Sequence, residues 1–201
     1  MELGDHSAEC DQRSVMDEAL NRLDSALTDV ITTIESGGLD QLGTEEKVAI
    51  WQRFETIRNK LPLVDHRLIA HADACDLPGS YCSATMMRFL MRAFQLSGAE
   101  AASRVRAAAA LGPRTSMLGE RLESQLPKVA ALQADGAVTV EKVAIGTRHG
   151  DTGPARVGPG AVNTAEQLLT DYAPVLEPTE LKRFALRVVD AADPDWCGTG
   201  R

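Results

Sequence analysis

The chain has 201 residues and a formal net charge of −8, with 44% hydrophobic, 25% charged and 4% aromatic residues. A chain of this length can bury a core and form one or two domains. No run of about 18 apolar residues occurs, and the N-terminus lacks the basic and apolar parts of a signal peptide, so we expect a cytoplasmic protein without a membrane span. The four cysteines are dispersed without a CxxC pair and predict free thiols.

The N-terminal third carries the clearest helical periodicity. Ser14 with Asp17 predicts the start of a long helix, and Gly37 with Gly38 predicts its end. Residues 1–13 before it are predicted to be a disordered tail. Apolar residues recur along the helix at alternating spacings of four and three, which is the pattern of a coiled-coil seam: Met16, Leu20, Leu23, Leu27, Val30 and Ile34.

The same spacing returns after a short polar loop, with Thr44 as a candidate N-cap. Pro62 lies inside this second seam and must either kink the helix or begin a new one. Two matched seams predict a helical hairpin over residues 14–76. The short loop favours an intramolecular antiparallel pair over a dimerisation arm. The second seam consists of Ile50, Phe54, Ile57, Leu61, Val64 and Leu68.

A basic segment follows between residues 86 and 114, where five arginines stand against the single Glu100 and give a local net charge of +4. The pattern predicts two short helices joined by a tight turn, as in a helix-turn-helix, with Ser97 and Glu100 as a capping box. On the second helix, Ala101, Val105 and Ala108 are predicted to face inward and Ser103, Ala107 and Ala110 outward. The candidate nucleic-acid contacts are Arg88, Arg92, Arg104, Arg106 and Arg114.

Two interpretations of this segment stay open. Small residues between arginines would let the second helix enter a DNA groove, with the guanidinium groups on phosphates or guanine edges. The same alanines would equally let a neighbouring helix pack closely, leaving the arginines as a solvated rim. The rest of the chain carries −12 once the segment's +4 is subtracted from −8, and this acidity opposes sequence-independent DNA binding.

No catalytic, metal or cofactor site is predicted. His66 and His71 are five residues apart, whereas a helical metal site needs two histidines at i and i+4 on one face. The motifs GxSxG, HExxH and GxGxxG are absent, so we expect a non-enzyme. The predicted fold is all-α, a long helical hairpin followed by a bundle of shorter helices that includes the helix-turn-helix-like pair. Beyond the hairpin, the predicted divisions are a helical core at 83–148, a Gly/Pro-rich linker at 149–162, C-terminal helices at 163–194 and a tail at 195–201.

Four blocks in this order resemble the 13E12 repeat family, domain-of-unknown-function family 222. They are LPLVDHRLIAHADA, FQLSGAEAASRVRAAAALGPR, LPKVAALQADGAVTVEKVAI and LEPTELKRFALRVVDAADPD, and they cover nearly the whole chain. The resemblance implies an all-helical module that precedes a C-terminal HNH endonuclease domain in longer members. It also implies an association with mobile-element-like loci, which makes double-stranded DNA a reasonable partner.

The chain departs from those longer members at its C-terminus. An HNH site needs a histidine and further ligands around a divalent cation, but His149 is the only histidine after His71. We therefore expect the nuclease domain to be missing, as in a truncated copy or the first half of a split gene. One hypothesis is a DNA-binding accessory module that uses the five arginines. The alternative is a helical interaction or dimerisation scaffold that binds itself or a separately encoded nuclease half, or a decayed remnant of a mobile-element protein.

Overall fold

A computed structural model describes residues 5–116, 118–150, 166–168 and 170–192. Helices dominate these residues, which confirms the all-α fold class. The helices are α1 (Asp5–Glu35), α2 (Thr44–Lys60), α3 (Pro62–Ala74), α4 (Leu77–Ser80), α5 (Met86–Ala93), α6 (Gly98–Leu111), α7 (Pro127–Asp135), α8 (Val140–Gly150) and α9 (Pro178–Ala192). Further helical residues lie at 166–168 and 170–172, and none of the described helices is long and apolar enough to cross a membrane.

The chain divides into two compact units, Met1–Gln52 and Arg53–Arg201. The division falls inside α2, so the predicted hairpin of residues 14–76 contributes to both units. α8 runs to Gly150. The rest of the predicted linker at 149–162 and the predicted tail at 195–201 lie outside the described residues.

In the first unit, α1 is one continuous helix of 31 residues. It begins at Asp5 and so includes residues 5–13 of the predicted tail. These residues contain neither glycine nor proline, which favours a helix. The predicted end is confirmed: Gly37 is left-handed with φ 86°, and its N–H donates to the carbonyl of Ile34 at 3.1 Å.

Neither apolar seam is buried. Every described side chain of α1, from residue 12 to residue 35, is exposed, and its seam residues are between 39% and 57% exposed. α2 contains no buried residue. The members of both seams are thus at least 39% exposed. α2 begins at Thr44, which was expected to be the cap before the first helical residue. The preceding Gly43 N–H donates to the Glu46 carboxylate at 2.8 Å, as at a capped helix start.

Pro62 begins a new helix, which decides between the two alternatives left open for it. It stands at the first position of α3, where its missing N–H costs nothing. α3 buries His66, Ile69 and Ala72, whereas Val64 and Leu68 of the predicted seam are 51% and 56% exposed. The buried face of α3 is thus one residue further round the helix than the seam spacing predicts, because α6 packs on that face.

α6 is the central helix of the second unit and contacts α3, α5, α7 and α8. Its face that contains Ala101 and Ala108 packs in an apolar cluster with α3 and α5, and its C-terminal end packs in a second cluster with α7, α8 and α9. Ala101 and Ala108 are 0% and 4% exposed, as predicted for the inward face. The second cluster consists of Ala110, Leu111, Leu126, Val129, Val138, Val143, Ile145, Ala173, Leu181 and Ala185.

A two-residue strand pair, which the sequence analysis did not predict, follows α6. β1 (Arg114–Thr115) and β2 (Arg121–Leu122) are antiparallel, with Arg114 opposite Leu122. The turn between them contains Gly119 at φ 83°. Arg114 therefore lies in an exposed strand beyond the helical pair in which the basic segment placed it.

Candidate functional site

The helix-turn-helix-like pair consists of α5 and α6. Both helices are capped locally: the Thr85 hydroxyl accepts from the Arg88 N–H at 3.2 Å, and the Ser97 hydroxyl accepts from the Glu100 N–H at 3.1 Å. The predicted start of the second helix at Ser97 is confirmed. In the link between the helices, Gln95 has a positive φ of 54°.

The structure distributes the five candidate arginines over three elements. Arg88 and Arg92 are exposed on α5, and Arg114 is exposed in β1. Arg104 and Arg106 are half-buried on α6. Their role as DNA contacts stays a prediction, but only the first three lie at exposed positions.

The outward face predicted for α6 is covered. Ala110 is 7% exposed and belongs to the second apolar cluster, so its prediction as an outward residue is wrong. Ser103 and Ala107 are half-buried and line a cavity. α7 and α8 pack on this side of α6, and the small side chains allow that close approach. Of the two interpretations of the alanines, packing by a neighbouring helix is the one observed.

This cavity, hereafter the α3–α6–α8 cavity, has a volume of about 210 Å³ and is also lined by Gln133 of α7. An ion cluster borders it. Arg104 Nη1 lies 3.0 Å from Asp65 Oδ2 of α3, and Arg104 Nη2 donates to Glu100 Oε1 at 2.7 Å. The three side chains are between 38% and 49% exposed, so water weakens their attraction. Arg104 is thus held by two carboxylates, one of them from a distant part of the sequence.

Two buried polar side chains line the same cavity. His66 is 3% exposed and Gln133 has no exposed surface. Burial lowers the pKa of His66 below 6.5, and the negative charge of Asp65 only partly opposes this, so the imidazole is neutral at pH 7. His66 Nδ1 and both amide atoms of Gln133 have no hydrogen-bond partner among the described residues.

Gln133 was not predicted as a site residue from the sequence. A signal was present, because Gln133 lies four residues after Val129 and so shares the buried face of α7. His66 and His71 do not form a pair, since His66 is buried and His71 is exposed. Within the described residues, no group of three or more His, Cys, Asp or Glu side chains could hold a metal ion.

Residues 48–197 match the family model described as "Domain of unknown function (DUF222)". The chain belongs to this family. The match confirms the resemblance to domain-of-unknown-function family 222. It begins within α2, so it leaves α1 outside the family domain.

Similar proteins come from Mycobacterium tuberculosis. Uncharacterized protein Rv1128c is 29% identical over 189 residues, which are 92% of this chain and 40% of the relative. Uncharacterized protein Rv3466 is 32% identical over 127 residues, or 61% of this chain and 50% of the relative. The chain spans about two fifths of the length of the first relatives it matches. No solved structure matches it.

Proposed function

We propose that this DUF222 chain is a non-catalytic helical interaction module that associates with a second copy of itself through the apolar seam of α1. The observation that supports the proposal is the exposure of that seam: Met16, Leu20 and Leu23 are 57%, 51% and 41% exposed. The seam continues through Leu27, Val30 and Ile34, which are also exposed.

An uncovered apolar seam on a long helix favours association. With 31 residues and about 1.5 Å rise per residue, α1 is about 46 Å long. Most of the stability of such a helix comes from packing of its apolar face. Fully burying a leucine or valine side chain gains about 1.5–3 kcal/mol relative to full exposure, and these side chains are already partly covered, so each gains a fraction of that value.

The residues that flank the seam favour a parallel pair. With Leu20 and Leu27 at position a of the heptad, Asp17 and Asp24 occupy position e, and Ala19 and Ala26 occupy position g. A parallel pair places e beside g of the partner, so each aspartate meets a small or uncharged side chain. An antiparallel pair would place e beside e and bring carboxylates together.

Sedimentation equilibrium of the purified chain at micromolar concentrations tests this proposal. We expect a dimer with twice the chain mass of 21.6 kDa. A Leu20→Asp/Leu27→Asp variant should be monomeric. The matched control, Ser25→Asp/Thr32→Asp, adds the same charge on the opposite side of α1 and should stay dimeric. A wild-type chain that is monomeric at every concentration, or a dimeric seam variant, would contradict self-association.

A second candidate function is a DNA contact, as an accessory to a nuclease. It is supported by the exposure of Arg88, Arg92 and Arg114 in a segment with a net charge of +4. The resemblance to the 13E12 repeat family, whose longer members carry an HNH endonuclease, adds weight to it. Under this proposal a separately encoded nuclease half is a further partner, and the chain positions that half on DNA.

The DNA candidate is tested with labelled duplex across a salt series. Affinity that falls steeply with salt, and falls further in an Arg88→Glu/Arg92→Glu variant, would support it. The matched control is Arg183→Glu/Arg187→Glu on α9, which changes charge equally at two other exposed positions. Absence of binding at low salt, or an equal loss in both variants, would refute a specific contact through α5.

A further inference from the structure

A second site lies inside the second unit, where three buried polar atoms lack a protein partner. Gln133 has no exposed surface, and neither its Oε1 nor its Nε2 is hydrogen-bonded within the described residues. His66 is 3% exposed, and its Nδ1 also has no hydrogen-bond partner within the described residues. Leaving a buried polar group without a partner is energetically unfavourable. A ligand that hydrogen-bonds these atoms would remove that cost.

Both residues line the α3–α6–α8 cavity, whose other walls are mainly apolar and include Ala107 and Val143. Its volume of about 210 Å³ corresponds to about seven water molecules at about 30 Å³ each. Sites for drug-sized ligands are larger, about 300–1,000 Å³. The cavity therefore suits one small ring system with flat apolar faces and a polar edge.

The ion cluster beside the cavity restricts the charge of the ligand. Asp65 and Glu100 contribute two negative charges, and Arg104, which bonds both, contributes one positive charge. The cluster thus has a net charge of −1, and the Arg104 guanidinium is already bonded to the two carboxylates. An anionic group entering here would meet repulsion, whereas a neutral group would not.

We propose that the α3–α6–α8 cavity binds an uncharged nucleobase, which pairs with the carboxamide of Gln133 and with His66 Nδ1. A glutamine carboxamide pairs in a bidentate manner with the N6 donor and N7 acceptor of adenine, so adenine is the base expected to bind best. Gln133 is enclosed, so its side chain turns toward the cavity when the base enters; its terminal torsion has broad preferences. The apolar walls cover the faces of the ring.

Calorimetric titration of the full chain with adenine tests the proposal. We expect saturable binding at one site per chain. Purine without the exocyclic amine lacks the donor and should bind about tenfold more weakly or worse. Adenosine monophosphate should bind more weakly than adenosine, because its phosphate approaches the net negative cluster. The described residues that line the cavity all lie between 62 and 144, so these results do not depend on association through α1.

Two variants identify the site. Gln133→Leu keeps the approximate volume but removes the amide, and it should abolish adenine binding. Its control is Gln125→Leu at an exposed glutamine before α7, which should leave binding unchanged. If Gln133→Leu does not fold, Ala107→Leu, which fills the cavity from α6, provides the same test. No binding of adenine at millimolar concentration, or binding that survives both Gln133→Leu and Ala107→Leu, would overturn the proposal.

Discussion

Glu166 is a buried carboxylate that caps α7 from outside that helix. Its side chain is 4% exposed, and its Oε1 accepts from the N–H of Lys128 at 2.8 Å and of Val129 at 3.3 Å. Leu126, the residue at the N-cap position, provides no side-chain cap, and Pro127 has no N–H to satisfy. Glu166 therefore supplies the acceptor that the first turn of α7 lacks, and its negative charge lies at the positive end of the helix dipole.

We predict that Glu166→Ala lowers the free energy of unfolding by about 1–4 kcal/mol. Leaving buried N–H groups without an acceptor costs about 1–3 kcal/mol, and loss of the charge at the helix end adds about 0.3–1 kcal/mol. For a chain of this size each kcal/mol lowers Tm by about 2–4 °C, so the melting temperature should fall by at least about 3 °C. Glu166→Gln keeps an acceptor oxygen and should lose less.

Urea unfolding followed by circular dichroism measures this change. The matched control is Gln167→Ala at the adjacent residue. Its exposed side chain accepts from Lys128 Nζ at 2.6 Å, and its removal should cost no more than about 0.5 kcal/mol. Equal losses in Glu166→Ala and Gln167→Ala would refute the assignment of Glu166 as the cap of α7.

Two further predictions concern Gly136 and His66. Gly136 ends α7 at φ 75°, and a Cβ there would collide with the backbone carbonyl oxygen of Thr56. Gly119 is also left-handed, at φ 83°, but a Cβ there would meet nothing within 4 Å. In urea unfolding, Gly136→Ala should therefore cost more than the roughly 1–2 kcal/mol expected for Gly119→Ala; equal costs would refute the contact. Burial lowers the pKa of His66 below 6.5, so the unfolded chain binds more protons than the folded chain just below that pH. The free energy of unfolding should therefore fall as pH drops from about 6.5, by at most about 1.4 kcal/mol per pH unit. His66→Gln should reduce this slope, and the control His71→Gln on the same helix should not. The measurement is the free energy of unfolding of each variant between neutral and mildly acidic pH.

Features that depend on neighbours in the sequence were predictable. Ser97 starts α6 because its hydroxyl bonds an N–H three residues on, and the seam spacing of α1 reports one continuous helix. Gly136 ends α7 for a similarly local reason, since a glycine accepts the left-handed conformation at a helix end. In each case the deciding interaction spans at most four residues.

Features that depend on distant elements were not predictable. Alanine is equally compatible with a solvent-facing and a packed helix surface, so nothing in the α6 sequence shows that α7 and α8 cover Ala110. The same applies to Glu166, which caps a helix that starts 39 residues before it. The α1 seam shows a related limit. The spacing of its apolar residues indicates that a partner helix is required, but it does not identify which helix that is.

The charge of the basic segment shows the same limit most directly. The +4 of residues 86–114 counts only neighbours in sequence, and it treats Arg104 as equivalent to Arg88. In the folded chain Asp65, 39 residues away in sequence, lies 3.0 Å from Arg104 and joins Glu100 in neutralising it. Arg88 on α5 is exposed. The surface charge of a basic run therefore depends on the acidic residues of the helices packed beside it. Here two carboxylates pair with Arg104 at the border of a cavity, while its role as a DNA contact stays a prediction.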